Sequence, residues 1–80
     1  MFRVLLHNDD YTPMDFVIMV LREVFRKEEL QAVQIMLAVH KRGLGVAGIY
    51  PHEVAETKMH VVTELAKTHE YPLKCTIEVE

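Results

Sequence analysis

His7-Asn8-Asp9-Asp10-Tyr11-Thr12-Pro13-Met14 is the stretch from which the rest of this 80-residue chain can be read. Before it, Phe2 to Leu6 is a short apolar run of β-prone residues; after it, Met14 to Phe25 is almost unbroken apolar sequence of helical length. Asn8, Asp9 and Asp10 suit neither, because their short polar side chains bond nearby backbone groups and turn the chain. Thr12-Pro13-Met14-Asp15 then reads as a helix start. Thr12 supplies a hydroxyl N-cap, Pro13 takes the first helical position where no N–H is missed, and Asp15 places an acid in the positive first turn. An acidic, amide-bearing loop is thereby expected at the lip of an apolar helix. Such a lip suits a ligand that is cationic at one end and apolar at the other.

Outward from this loop the pattern alternates cleanly. Phe2 to His7 predicts a first strand, and Pro13 to about Arg26 a first helix, apolar over most of its circumference and so covered on several sides. After Lys27-Glu28-Glu29, a second helix from about Glu28 to Arg42 is expected to bury Leu30, Val33, Met36, Leu37 and Val39. Gly43 ends it behind the cationic Lys41-Arg42. Gly45 to Tyr50 reads as a strand whose glycines mark close backbone approach. Pro51 opens a third helix to about His69, with Val54, Ala55, Val61, Val62, Leu65 and Ala66 inside and Glu53, Glu56, Thr57, His60 and Glu64 outside. Pro72 stops any helical continuation, and Leu73, Cys75, Ile77 and Val79 alternate with Lys74, Thr76, Glu78 and Glu80 as a half-buried strand. The order βααβαβ predicts an α+β fold: a single domain over residues 1–80, with a small three-stranded antiparallel sheet packed against three helices.

Composition narrows the function. Half the residues are apolar, enough for one small core. Nine basic and twelve acidic side chains leave a formal charge of −3 without a basic block, which argues against a nucleic-acid partner. No apolar run approaches the ~20 residues of a membrane span, and no secretion signal opens the chain, so a cytoplasmic protein is expected. The single cysteine, Cys75, fits a reducing compartment and a buried, inert thiol.

On the second helix, Met36, Val39 and His40 occupy i, i+3 and i+4 and share a face. Packed beside Met14, Val17 and Leu73, that face would enclose an apolar cavity with His40, Asn8 and Asp9 at its rim. Unbranched methionines suit a pocket that accepts apolar guests of different shapes. A metal-dependent hydrolase built on His7, Asp9, Asp10 and His40 finds no HExxH or CxxC spacing to support it. No Ser or Cys nucleophile has a visible base partner. No metal or cofactor is expected. A protein-docking domain like that of the ribosomal stalk is a second rival, and it predicts no dependence on a free peptide amine.

Asn8 through Val17, Met36-Leu37-Ala38-Val39-His40, Glu53 through Lys58 and Pro72 through Thr76 resemble the ClpS adaptor family in order and spacing across essentially the whole chain. The resemblance implies a non-enzymatic N-recognin. Such an adaptor binds proteins with destabilising amino-terminal residues (Leu, Phe, Tyr or Trp) and hands them to a ClpA-type AAA+ unfoldase and its ClpP peptidase. Carried over by motif, Asn8, Asp9 and His40 would contact the substrate α-amino group, with Asp10 and Thr12 shaping the loop. Met14, Val17, Met36, Val39 and Leu73 would line the side-chain pocket, with Met19 near it in place of a branched aliphatic residue. Glu53 and Lys58, on the outer face of the third helix, would meet the unfoldase. Met14 would clash with a branch at the guest's β carbon, matching the family's rejection of Val and Ile. Pro51 and Tyr71 depart from a hydroxyl cap and a histidine common in the family. Family members carry a flexible amino-terminal extension implicated in substrate hand-off, and the residues from the first strand onward are expected to bind.

Overall fold

The computed structural model describes residues 1–80 and orders them as β1 (Phe2–His7), α1 (Met14–Glu23), α2 (Glu29–Arg42), β2 (Leu44–Tyr50), α3 (His52–Thr68) and β3 (Lys74–Val79). The three strands form one sheet in the order β2-β1-β3, antiparallel throughout. The predicted order and sheet are those observed, with no element end moved by more than three residues.

Those shifts have local causes. α1 stops at Glu23 and not at Arg26, because Arg26 takes a left-handed φ of 56° and the Lys27 N–H returns to the Leu21 carbonyl at 3.1 Å. α2 starts with a capping box: the Glu28 N–H meets the Gln31 side chain at 3.4 Å while the Glu28 carboxylate receives the backbone at Gln31. Its end is Gly43 at φ 91°, a conformation that glycine enters without a Cβ penalty. Gly45 and Gly48 are places of close approach, as the sequence implied. A Cβ on Gly45 would lie 2.8 Å from Val39 Cγ2, and one on Gly48 would run into the Tyr50 ring.

Val4, Leu6, Val20, Leu21 and Val62 are fully enclosed, each burial contributing roughly 1.5–3 kcal/mol. They join one core with Phe16, Val17, Ala32, Met36, Val39, Ala55, Ala66, Leu73 and Cys75 among others. Two expectations about that core need correction. On α2, Leu30 is 71% exposed and Leu37 38% exposed, and the inner face is Ala32, Met36 and Val39. On α3, Val54 and Val61 stand out in solvent while Ala55, Val62 and Ala66 carry the contact. Both helices hold a broader apolar arc than the sheet can cover, and small side chains take the closest approach.

Candidate functional site

The end of β1 is tied to the end of α2 by the Asn8 N–H, which donates to the Gly43 carbonyl at 2.9 Å. That bond sets the loop after β1 beside the last turn of α2, where His40 stands. α1 leaves the loop on its other side. A cavity of about 310 Å³ opens between them, lined by Asn8, Asp9, Asp10, Thr12, Pro13, Met14, Val17, Met36, Val39 and His40.

The loop is held by one carboxylate. Asp9 Oδ1 accepts from the backbone N–H groups of Tyr11 at 2.8 Å and Thr12 at 2.7 Å, while its Oδ2 accepts from the Thr12 hydroxyl at 2.6 Å. Partial burial pushes the Asp9 pKa up, but the hydrogen bonds from Thr12 and Tyr11 outweigh it and hold the carboxyl below its ordinary range. The predicted Thr12 N-cap is thereby corrected. The hydroxyl serves Asp9, Pro13 is the N-cap without a side-chain bond, and its carbonyl receives the Phe16 and Val17 N–H groups at 3.1 and 3.3 Å. An ionised carboxylate competes better for the hydroxyl than a helix terminus does.

Polar groups gather at the mouth and apolar ones at the floor. Val17, Met36 and Val39 are buried, whereas Met14 is 45% exposed at the edge. Asn8, Asp9, Asp10 and His40 face the same space with no Lys or Arg among the lining residues. Such a mouth accepts hydrogen bonds and favours a positive charge; the floor favours an uncharged side chain. No group of three or more His, Cys, Asp or Glu side chains is placed to hold a metal ion.

Nine of the residues expected at the site thus share one cavity. Two expected in or near its wall do not line it. Met19 lies roughly 140° from Met14 and 200° from Val17 around α1, at ~100° per residue, and faces a separate depression with Asp15, Phe16, His69 and Tyr71. Leu73 is buried in the core that also holds Val17, Met36 and Val39 but does not line the cavity. Glu53 is exposed on α3 and shares a surface depression with Val54, Thr57 and the half-buried Lys58. Its ammonium bonds the Val24 carbonyl at 2.8 Å, since an uncapped helix end lies within reach. Pro13 lines the cavity unpredicted, although its place just before Met14 was a usable signal. Gly45 was foreseen as a close approach, but not as the residue that leaves room for Val39 in the floor.

Comparison with known proteins gives concordant matches. The family model for ATP-dependent Clp protease adaptor protein ClpS matches residues 1–76. The ATP-dependent Clp protease adapter protein ClpS of Desulfotalea psychrophila is 55% identical over 80 residues, covering 100% of this chain and 78% of the relative. That of Desulfatibacillum aliphaticivorans is 58% identical over 80 residues, covering 100% and 77%. Among solved structures, Agrobacterium tumefaciens ClpS2 bound to L-phenylalaninamide is similar with a TM-score of 0.95 and 40% identity, over 99% of this chain and 95% of that one.

Proposed function

The chain belongs to the ClpS family of ATP-dependent Clp protease adaptors, and from that premise we propose that it is a non-enzymatic, cytoplasmic N-recognin. It binds proteins whose first residue is Leu, Phe, Tyr or Trp and delivers them to a ClpA-type AAA+ unfoldase and ClpP. The observation that carries this reading is the cavity itself: an apolar floor under a mouth that accepts hydrogen bonds, with no cationic side chain to compete for it. L-Phenylalaninamide, held by the Agrobacterium relative, has the same two halves, an α-amine and an apolar side chain.

In the binding reaction the guest's α-ammonium donates to the Asn8 amide oxygen, to a free lone pair of the Asp9 carboxylate and to a His40 ring nitrogen. Asp10 and Thr12 shape the loop. Each charge-assisted bond is worth ~1.5–3 kcal/mol, and burial of a Leu or Phe side chain adds roughly 1.5–3 kcal/mol. After the cost of immobilising a flexible chain end, an affinity on the order of −8 kcal/mol, or micromolar, follows. Both halves are required. An internal leucine lacks the ammonium, and a terminal lysine or glutamate desolvates charge against Val17, Met36 and Val39. Leu73 belongs to the same buried core. Glu53 and Lys58 belong to the α3 face that docks the unfoldase.

Fluorescence anisotropy over peptides that differ only at residue one tests the reading. Micromolar binding of free Leu, Phe, Tyr and Trp ends is expected, with loss on acetylation of the same peptides. Equal affinity for acetylated and free peptides rejects it and returns a docking domain indifferent to the amine.

A further inference from the structure

Gly45 is a buried, inward position of β2, between the exposed Leu44 and Val46. It does not line the cavity. A Cβ on it would lie 2.8 Å from Val39 Cγ2, 3.3 Å from the Ile35 carbonyl oxygen and 3.5 Å from the Val39 nitrogen. α2 thus lays its backbone and one valine methyl over the point where a side chain would begin. The φ of Gly45 is outside the left-handed region, so what glycine supplies here is space and not conformational freedom.

Neither backbone is free to retreat. Gly45 pairs with the fully buried Leu6 in the central strand. The Val39 carbonyl accepts the Gly43 N–H at 3.0 Å, and the Gly43 carbonyl in turn accepts the Asn8 N–H. The part that can yield is the Val39 side chain, and the open space beside it is the cavity it lines, because packed interiors hold few other voids. With a Cβ at position 45, Cγ2 would have to move roughly 0.7–1.2 Å to restore an ordinary carbon contact.

The geometry points to Gly45 as a positioning residue for guest size: by holding Val39 back from the cavity, it sets the depth available to a large aromatic side chain. This inference rests on the N-recognin reading and deepens it. A floor raised under Val39 excludes Trp and Tyr rings before it affects the shorter Leu side chain. The mouth formed by Asn8, Asp9 and His40 is left as it is, so recognition of the amine is common to all guests.

Anisotropy on the whole chain, with free-amine peptides headed by Leu, Phe, Tyr and Trp, tests this beside thermal melts. Gly45→Ala is expected to weaken Trp and Tyr ends about tenfold relative to Leu, the discrimination that a methylene-sized step makes in an apolar pocket. Val39→Ala removes the crowded methyl and is expected to shift preference toward Trp. Gly45→Ala added to Val39→Ala is expected to change the Trp-to-Leu ratio by less than about twofold, since the two act through one contact. A merely structural glycine would not produce that cancellation.

An equal loss at all four ends, or a ratio that Gly45→Ala lowers as much beside Val39→Ala as in wild type, overturns the inference. If Gly45→Ala alone does not fold, the double variant decides. A folded double variant with the ratio of Val39→Ala upholds the role of Val39; one that also fails to fold makes the Ile35 carbonyl the group for which Gly45 leaves room, and overturns it. Wild-type protein that binds none of the four peptides rejects the N-recognin reading and this inference with it. Wild-type binding with an unmoved ratio in Gly45→Ala rejects the inference alone.

Discussion

The Thr12 hydroxyl donates to Asp9 Oδ2 at 2.6 Å, while the Thr12 N–H donates to Oδ1 of the same carboxylate at 2.7 Å. One residue thus grips both oxygens of the other. The grip stiffens the loop at the cavity mouth and leaves Asn8 and Asp10 free of side-chain bonds within the protein.

Thr12→Val keeps the shape and removes the hydroxyl. It is expected to destabilise the half-exposed loop by about 1 kcal/mol and to weaken binding of a free-amine Leu peptide several-fold. Thermal unfolding and anisotropy on the same variant check both, and unaltered peptide affinity separates loop order from amine binding.

Acid should reveal the same grip. The ordinary Asp9 value is 3.8 and the folded value lies below it, so the bonds contribute fully above 3.8 and their contribution disappears as pH falls through the folded value. A carboxyl titration followed by NMR is expected to place the folded midpoint below 3.8, moving upward in Thr12→Val. A midpoint at or above the ordinary value would contradict the hydrogen-bonded loop.

His40 is exposed, lines the cavity and makes no hydrogen bond within the protein. His40→Ala is therefore expected to leave Tm within a few degrees while weakening free-amine peptides about 10- to 100-fold, the worth of one charge-assisted bond. Acetylated peptides should show no further change. Retained affinity for free amines removes His40 from the site.

Two methionines in one wall should behave differently. Met14→Ala, at a half-exposed edge, is expected to cost under about 1 kcal/mol and to admit peptides that begin with Val or Ile. Met36→Ala, at 7% exposure in the core, is expected to cost about 2–5 kcal/mol. Met19→Ala should alter peptide affinity less than about twofold, because Met19 faces away. Paired melts and peptide panels separate the three outcomes.

Cys75 is a built-in reporter of unfolding. Burial pushes its thiol up to about 12, so the reactive thiolate is scarce near neutral pH. Alkylation of the folded protein is expected to be slow and to accelerate at the concentration of urea that unfolds the chain. Rapid labelling without denaturant would place the thiol in solvent.

Much of this molecule is legible in one dimension. Alternation in Leu73 to Val79, the apolar run from Met14 and the stops at Gly43 and Pro72 fix element type and order, because each depends on neighbours a few positions away. Met36, Val39 and His40 could be placed on one face by helical spacing alone. Leu30 and Leu37 could not be told from Met36, since an apolar arc wider than the available sheet leaves the choice of inner face to packing.

Local chemistry determined that Asn8 to Thr12 is a tight polar loop between a strand and a helix, whatever surrounds it. Tertiary structure alone decided that the Asn8 N–H goes to the Gly43 carbonyl and that Lys58 closes on Val24. Hydrogen-bond partners of comparable strength compete for each of those groups. The winner is whichever one the packed helices bring within about 3 Å.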